Sequence, residues 1–140
     1  MVAAREAAAS LRPCLQAVER ELAGVAGELV VVAPAASREA RAVRAGRLVT
    51  VAGEALVPEL WRAGILASTG DLVALTIAQS VPEPGWLGAL LSALDATSAA
   101  VGGAFQLGTH SPATAAAFFL RYAAYRPPFP RRPVDQVPGG

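Results

Sequence analysis

Residues 70–87 constrain the fold of this chain more than any other segment, because they join a strand-like run to a helix through a proline-rich turn. The run over residues 72–75 is short and apolar, which is typical of a strand buried on both faces. Pro82 and Pro84 interrupt regular structure after it. The leucines that follow recur at helical spacing: Leu87, Leu90, Leu91 and Leu94. The pattern predicts a strand over 72–75 and an amphipathic helix over 84–94.

Helix-period and strand-like segments alternate along the rest of the chain, which is typical of an α/β domain with helices on both faces of a mostly parallel sheet. Further helices are predicted over residues 6–23, from Pro58 toward Gly70, and over 112–125. Further strands are predicted over 29–32, 48–51 and 99–107. From Arg126 onward the sequence is rich in proline, which predicts an extended tail.

Two helix starts can be predicted in more detail. Pro13 lies inside the first helical pattern and leaves two alternatives. Either the regular part begins with Ser10 as its N-cap, or the helix bends at the proline. Ser111 and Pro112 are the N-cap and first residue of the last helix. Cys14 lies beside the apolar stripe of the first helix, which predicts a buried structural thiol.

Composition narrows the class of protein. The 140 residues suit one domain, and 54% hydrophobic residues suffice for a core. A net charge of +1 gives no broad field for nucleic acid, and the absence of lysine excludes lysine chemistry. Cys14 is the single cysteine, so no intrachain disulfide is expected. No secretory signal pattern opens the sequence, which predicts a cytoplasmic protein.

One uncharged stretch is long enough to cross a bilayer, because no Asp, Glu, Lys or Arg occurs between Asp95 and Arg121. Glycines and a proline interrupt it at Gly102, Gly103 and Pro112. Such breaks leave backbone groups without partners in lipid. We therefore predict no transmembrane segment.

The order and spacing of these segments resemble family-2 glycosyltransferases. Residues 81–87 are similar to the family's Val-Pro-x-Pro-x-Trp-Leu turn, and residues 3–11 to its Pro-Ala-Arg-Asn/Asp-Glu-Ala-x-x-Leu segment. Residues 137–140 resemble the start of its Pro-Gly-Asn-Asn loop. The resemblance implies an incomplete three-layer α/β/α domain of the GT-A, Rossmann-like type over residues 1–126. Residues 127–140 would form the proline-rich tail.

The resemblance also implies which residues bind a nucleotide-diphospho-sugar, with a UDP-sugar as the expected donor. Ala4 and Arg5 fall in the segment that touches the base, and Ala33 ends the second strand. Arg62 falls in the family's Arg-Asn-x-Gly segment. Ile77 and Gln79 fall at the acidic Asp-x-Asp motif. The six candidate residues are Ala4, Arg5, Ala33, Arg62, Ile77 and Gln79.

Three of these positions depart from the family pattern, because Ala33, Ile77 and Gln79 stand where the family has acids. Family members use Mn²⁺ or Mg²⁺ on the diphosphate, yet this chain lacks those ligands, so we assign it no cofactor, no metal site and no catalytic residue. Losing a metal that neutralises a leaving diphosphate costs on the order of a thousandfold in rate. Arg62 or another arginine would have to supply the counter-charge.

Two function hypotheses remain open. The chain is the nucleotide-binding half of a hexosyltransferase-type glycosyltransferase, or it is a non-catalytic relative that binds a nucleotide weakly or acts as an interaction module. The aromatic helix face around Phe118 and Phe119 predicts self-association or docking of a further domain. His110 has no cysteine at metal spacing and no triad context, which predicts a loop residue.

Overall fold

The computed structural model describes residues 1–5, 10–38, 46–108, 111–128 and 130–137. The chain divides into two compact units, Met1–Gly88 and Ala89–Pro138. The beginning of the predicted first helix, at residues 6–9, and His110 lie outside the described residues.

The first unit contains a four-stranded parallel sheet. Its strands are β1 (Val2–Ala3), β2 (Val30–Pro34), β3 (Arg47–Val51) and β4 (Thr76–Ile77), in the spatial order β3-β2-β1-β4. The strands predicted over 29–32 and 48–51 are confirmed with small shifts of their ends. The chain is therefore an α/β protein with a parallel sheet, as the alternating pattern predicts.

Four α-helices occur in the described part of the chain. They are α1 (Leu11–Leu22), α2 (Val57–Ala67), α3 (Trp86–Ala93) and α4 (Pro112–Tyr122). Each lies within or close to a segment whose apolar spacing predicts a helix. α3 is shorter than the predicted span of 84–94, and none of its residues is fully buried.

Strand β2 is apolar throughout because both of its faces are covered. Val31 and Ala33 belong to a buried cluster with residues of α1, and Val30 and Val32 belong to a second cluster with Leu60 of α2. Side chains alternate between the two faces of a strand, so the two clusters lie on opposite sides of the sheet. The continuous valine run follows from this double burial.

Helix α1 begins after Ser10, which places Pro13 in its first turn. The backbone N–H of Cys14 donates to the Ser10 carbonyl at 3.1 Å, so the helical hydrogen bonding starts there. A proline in the first turn breaks no helical bond, because the first N–H groups have no partner within the helix. Of the two alternatives, the start at Ser10 is confirmed.

The strand predicted over residues 72–75 is wrong. The strand is Thr76–Ile77, and Leu72 and Leu75 are exposed. The ladder with β1 sets this register, since Val2 is the partner of Thr76 and the Met1 amino group donates to the Ala74 carbonyl at 2.7 Å. The apolar run precedes the strand because pairing with β1 decides its position.

The strand predicted over residues 99–107 is also wrong. No strand is present in the described residues of the second unit. Phe105 donates its N–H to the Tyr125 carbonyl at 2.8 Å, and Val137 packs against Gly102. An apolar segment forms a strand only where a second strand offers a complete ladder.

Helix α4 begins where the sequence predicts. The Thr114 N–H donates to the Ser111 hydroxyl oxygen at 3.3 Å, and Pro112 follows the cap. The predicted end at residue 125 is reached through a 3₁₀ turn over Ala123–Tyr125. After this turn the described residues of the tail contain neither helix nor strand, as predicted. Among the helices formed by the described residues, none has the length and apolar character needed to cross a membrane.

Candidate functional site

The strand order of the sheet reverses between β1 and β4. The chain passes from β1 to β2 and β3 on one side, and then places β4 on the other side of β1. In open α/β sheets, ligands bind outside the carboxyl ends of the strands at such a reversal point. The carboxyl ends of β1 and β4 are therefore the candidate site, with the end of β2 beside them.

Three alanines lie in neighbouring positions at these strand ends: Ala4 and Ala78 follow β1 and β4, and Ala33 is the last residue but one of β2, which ends at Pro34 and not at Ala33. Ala3 is the partner of both Val32 and Ile77, so the residues that follow, Ala4, Ala33 and Ala78, lie beside one another. Hydrogen bonds continue the ladder here, as the Ala4 N–H donates to Val32 at 2.7 Å and the Ala78 N–H donates to Ala3 at 3.0 Å. All three alanines are fully buried.

The burial of this row limits what Ala4 and Ala33 can contribute. Both belong to the cluster that contains Leu11 and Cys14 of α1, which covers them. Neither residue exposes surface for a ligand to touch. They can contribute to a site only through the course of the backbone at the strand ends. An aspartate in place of Ala33 would bury a carboxylate in this cluster, which is costly.

Arg5 and Gln79 come next in the chain, two residues after the last residues of β1 and β4, and both are exposed. They follow Ala4 and Ala78, which lie on neighbouring strands, so they flank the reversal point. An arginine offers five donors in a planar fork that matches phosphate, and a glutamine amide offers both donors and an acceptor. The structure thus places a cationic and a neutral polar side chain at the predicted edge.

Ile77 is half-buried and packs against the cluster beneath α2. Its carbonyl accepts the Ser80 N–H at 3.0 Å, which closes a turn through Ala78 and Gln79. The same carbonyl accepts a contact from the Cys14 thiol at 3.6 Å. The backbone at the end of β4 is therefore held from two sides.

Arg62 lies in the middle of α2 and is exposed. Five of the six predicted site residues lie at or next to strand ends, whereas Arg62 lies on a helix. Within the described part of the chain, no polar contact links it to the strand ends. Arg5 is the arginine that the fold places at the candidate site.

The carboxyl edge does not fit the Mn²⁺ or Mg²⁺ that the family resemblance implies. These ions take oxygen ligands, chiefly carboxylates, and β4 ends in Ile77, Ala78 and Gln79. Across the described residues, no group of three His, Cys, Asp or Glu side chains could hold a metal ion. Neutralisation of a diphosphate at this edge would rest on arginine.

Cys14 lies beneath the site as an inert thiol. Burial raises its pKa from 9.0 to about 11, against a smaller opposing effect of the N-terminal charge. The thiolate is the reactive form of cysteine, so this side chain is not a nucleophile near neutral pH. The prediction of a buried structural thiol is confirmed.

Two features of the first unit could not be predicted from the sequence pattern. Glu21 of α1 accepts hydrogen bonds from the Gly85 and Leu87 N–H groups, both at 2.9 Å, and so caps α3. The indole N–H of Trp61 is buried without a hydrogen-bond partner among the described residues. Periodicity carries no signal for either, because both depend on how distant segments meet.

Comparison of the chain with protein-family models, with curated proteins and with solved structures finds no match.

Proposed function

We propose that this chain is a family-2 glycosyltransferase-like domain that binds a nucleotide-diphospho-sugar at the carboxyl ends of β1 and β4. The observation that carries the proposal is the position of Arg5 and Gln79, two residues beyond adjacent strand ends at the reversal of the strand order. We also propose the finer arrangement of the GT-A fold, with α1 and α2 as outer layers. The two buried clusters on opposite faces of the sheet support it.

In this proposal Arg5 takes the place of the family's metal ion. Its guanidinium pairs with the diphosphate of the donor, and the Gln79 amide bonds to a hydroxyl of the ribose or sugar. A bidentate arginine–phosphate pair is a strong, directional contact, although one positive charge replaces only part of a divalent cation. Binding is therefore metal-independent and weak, and the expected donor class is a UDP-sugar.

Sugar transfer is where the proposal departs from the family's activity. A metal contributes several kcal/mol to a transition state with a leaving diphosphate, and each ~1.4 kcal/mol is a tenfold rate factor. Without metal ligands at β4, this chain is a nucleotide-binding domain whose own transfer rate is on the order of a thousandfold or more below a metal-loaded site.

We also propose a cytoplasmic location.

A non-catalytic interaction module is the second candidate. The exposed apolar residues Leu72, Val73 and Leu75 next to the edge strand β4 favour it, because such an edge offers both backbone groups and apolar surface to another chain. In this alternative, association through β4 is the function of the domain, and what distinguishes it is the lack of any affinity for a nucleotide.

Nuclear magnetic resonance mapping separates the two candidates. The ¹⁵N-labelled chain is titrated with a UDP-sugar in a metal-free buffer, and amide shifts are followed by residue. We expect shifts at Arg5 and at residues 77–79, with none at the opposite edge of the sheet around Glu28 and Arg47. The absence of any saturable shift would exclude the nucleotide-binding proposal.

A pair of matched variants tests whether Arg5 is the arginine that binds the diphosphate. Arg5→Gln removes the proposed phosphate contact, and Arg20→Gln removes an exposed arginine from the last turn of α1. We expect the first to weaken binding about tenfold or more and the second to leave it unchanged, since a charge-assisted hydrogen bond contributes about 1.5–3 kcal/mol. Equal effects of the two variants would point to nonspecific charge attraction.

A further inference from the structure

The second unit contains a basic segment without acidic residues. Between Asp95 and Asp135 the sequence carries four arginines and no aspartate or glutamate. The arginines are Arg121, Arg126, Arg131 and Arg132. Arg131 lies 3.7 Å from the Asp95 carboxylate and donates to the Ala93 carbonyl at 2.8 Å, so its charge is partly compensated. The segment is positive although the whole chain is almost neutral.

The same segment exposes apolar side chains beside these charges. Leu120 at the end of α4 is 91% exposed and its neighbour Phe119 is 40% exposed. The Arg126 guanidinium lies 4.8 Å from the centre of the Phe119 ring, and that of Arg121 lies 5.3 Å from the Tyr122 ring. Positive groups therefore flank an exposed apolar surface within a single short stretch of chain.

We propose that α4 and the arginines after it form a docking surface for an anionic lipid bilayer. A helix that lies on a membrane places apolar side chains into the interface and keeps arginines at the headgroups. Phe119 and Leu120 are the apolar side chains that would enter the interface. The arginines at the headgroups would be Arg121, Arg126 and Arg132. The residues of this surface belong to the second unit of the chain, and those of the proposed nucleotide site belong to the first.

Nucleic acid fits this surface less well, although it is also anionic. Single strands bind through aromatic rings on which bases stack. Here the rings engage one another, since Phe105 and Tyr122 stack at 4.7 Å and Phe118 and Phe119 meet edge to face at 5.8 Å. The Leu120 side chain has no ring to stack on a base and no polar group to bind a phosphate, whereas an apolar side chain inserts favourably into a bilayer interface.

Sedimentation with vesicles tests the proposal on the full chain. Vesicles of phosphatidylcholine alone are compared with vesicles of equal parts phosphatidylcholine and phosphatidylglycerol, at low and at physiological salt. We expect binding to the anionic vesicles only, weakened by salt. Replacing Arg126 and Arg132 by Gln should lower the partition coefficient about 25-fold, at about fivefold for each arginine. Leu120→Ser should lower it about tenfold.

Matched controls come from exposed residues of the first unit. Leu66→Ser removes a leucine that is 71% exposed on α2, and the pair Arg12→Gln with Arg20→Gln removes two exposed arginines of α1. Neither control should change binding, and circular dichroism checks that every variant folds. Failure to bind anionic vesicles, or equal losses in test and control variants, would overturn the proposal. Displacement of the protein from vesicles by a short RNA that binds through the same residues would assign the surface to nucleic acid instead.

Discussion

Gly64 of α2 packs directly against Met1 at the start of β1. A Cβ atom added at Gly64 would overlap the Met1 sulfur and lie 2.8 Å from Val32 Cγ2. Met1 and Val32 both belong to the buried cluster between the sheet and α2. The lack of a side chain at Gly64 thus sets how closely this helix approaches the central strands.

Gly64→Ala should therefore destabilise the fold even though alanine is the better helix former. Overpacking of a buried contact costs about 1–3 kcal/mol, which exceeds the gain in helix propensity of about 0.5–1 kcal/mol. Gly88→Ala is the matched control, because Gly88 lies in α3 and a Cβ there meets nothing within 4 Å. Urea unfolding should show a loss for the first and a small gain for the second. An increase in the free energy of unfolding for Gly64→Ala would mean that α2 does not pack closely on Met1 and Val32.

Much of the first unit can be predicted from the sequence, because burial leaves a clear pattern there. The valines of β2 are apolar without alternation since both faces are covered, and the leucines of α1 recur at helical spacing since one face is covered. The position of β4 could not be predicted. Its register depends on hydrogen bonds to β1, and those bonds leave no trace in the local sequence.

The candidate site was predictable only in part. Arg5 and Gln79 are indicated only by the family resemblance, since the apolar pattern places the strand before Gln79 too early in the chain. The burial of Ala4 and Ala33 beneath α1 depends on how that helix packs on the sheet. Contacts between distant segments decide that burial, and periodicity does not encode them. The mid-helix position of Arg62, by contrast, follows from the helix predicted from Pro58 toward Gly70.

The Glu21 carboxylate should contribute measurably to stability. It accepts two backbone N–H groups at the start of α3, one from Gly85 and one from Leu87. Replacing a helix-capping acceptor by alanine costs about 0.5–2 kcal/mol, so Glu21→Ala should lower the free energy of unfolding by about that amount. Glu19→Ala, at an exposed position of the same helix, is the control and should stay within about 0.5 kcal/mol. Equal effects in chemical denaturation would remove the capping role.

The isolated chain should self-associate through the edge of its sheet. Within the described residues β4 pairs only with β1, and Leu72 beside it is 60% exposed. Leu72→Lys should shift the protein toward the monomer, because a charge next to an edge strand opposes pairing with another chain. Leu66→Lys, at a helix position that is 71% exposed, should not. Analytical ultracentrifugation distinguishes these outcomes, and a monomeric natural chain would refute the expectation.

The buried thiol should make stability fall at alkaline pH. Burial raises the pKa of Cys14 from 9.0 to about 11 in the folded state. Between these two values the unfolded thiol ionises and the folded one does not, so stability is complete below pH 9 and falls as the pH rises toward 11. Cys14→Ala should lack this component. Unfolding free energies of both proteins across the interval give the comparison, and parallel pH profiles would contradict a raised pKa.

Calorimetric titration with UDP, with and without Mn²⁺, is the direct test of metal-independent nucleotide binding. The natural chain should bind UDP with the same affinity in both conditions, since Ile77 and Gln79 give a metal no carboxylate. The double variant Ile77→Asp, Gln79→Asp should bind more tightly when Mn²⁺ is present, while the buried Ala33 is left unchanged because a carboxylate there would disturb the core. Binding of UDP by the natural chain with equal affinity in the presence and absence of Mn²⁺ is the expected result. Tighter binding of the natural chain with Mn²⁺, or no binding of UDP at all, would contradict it.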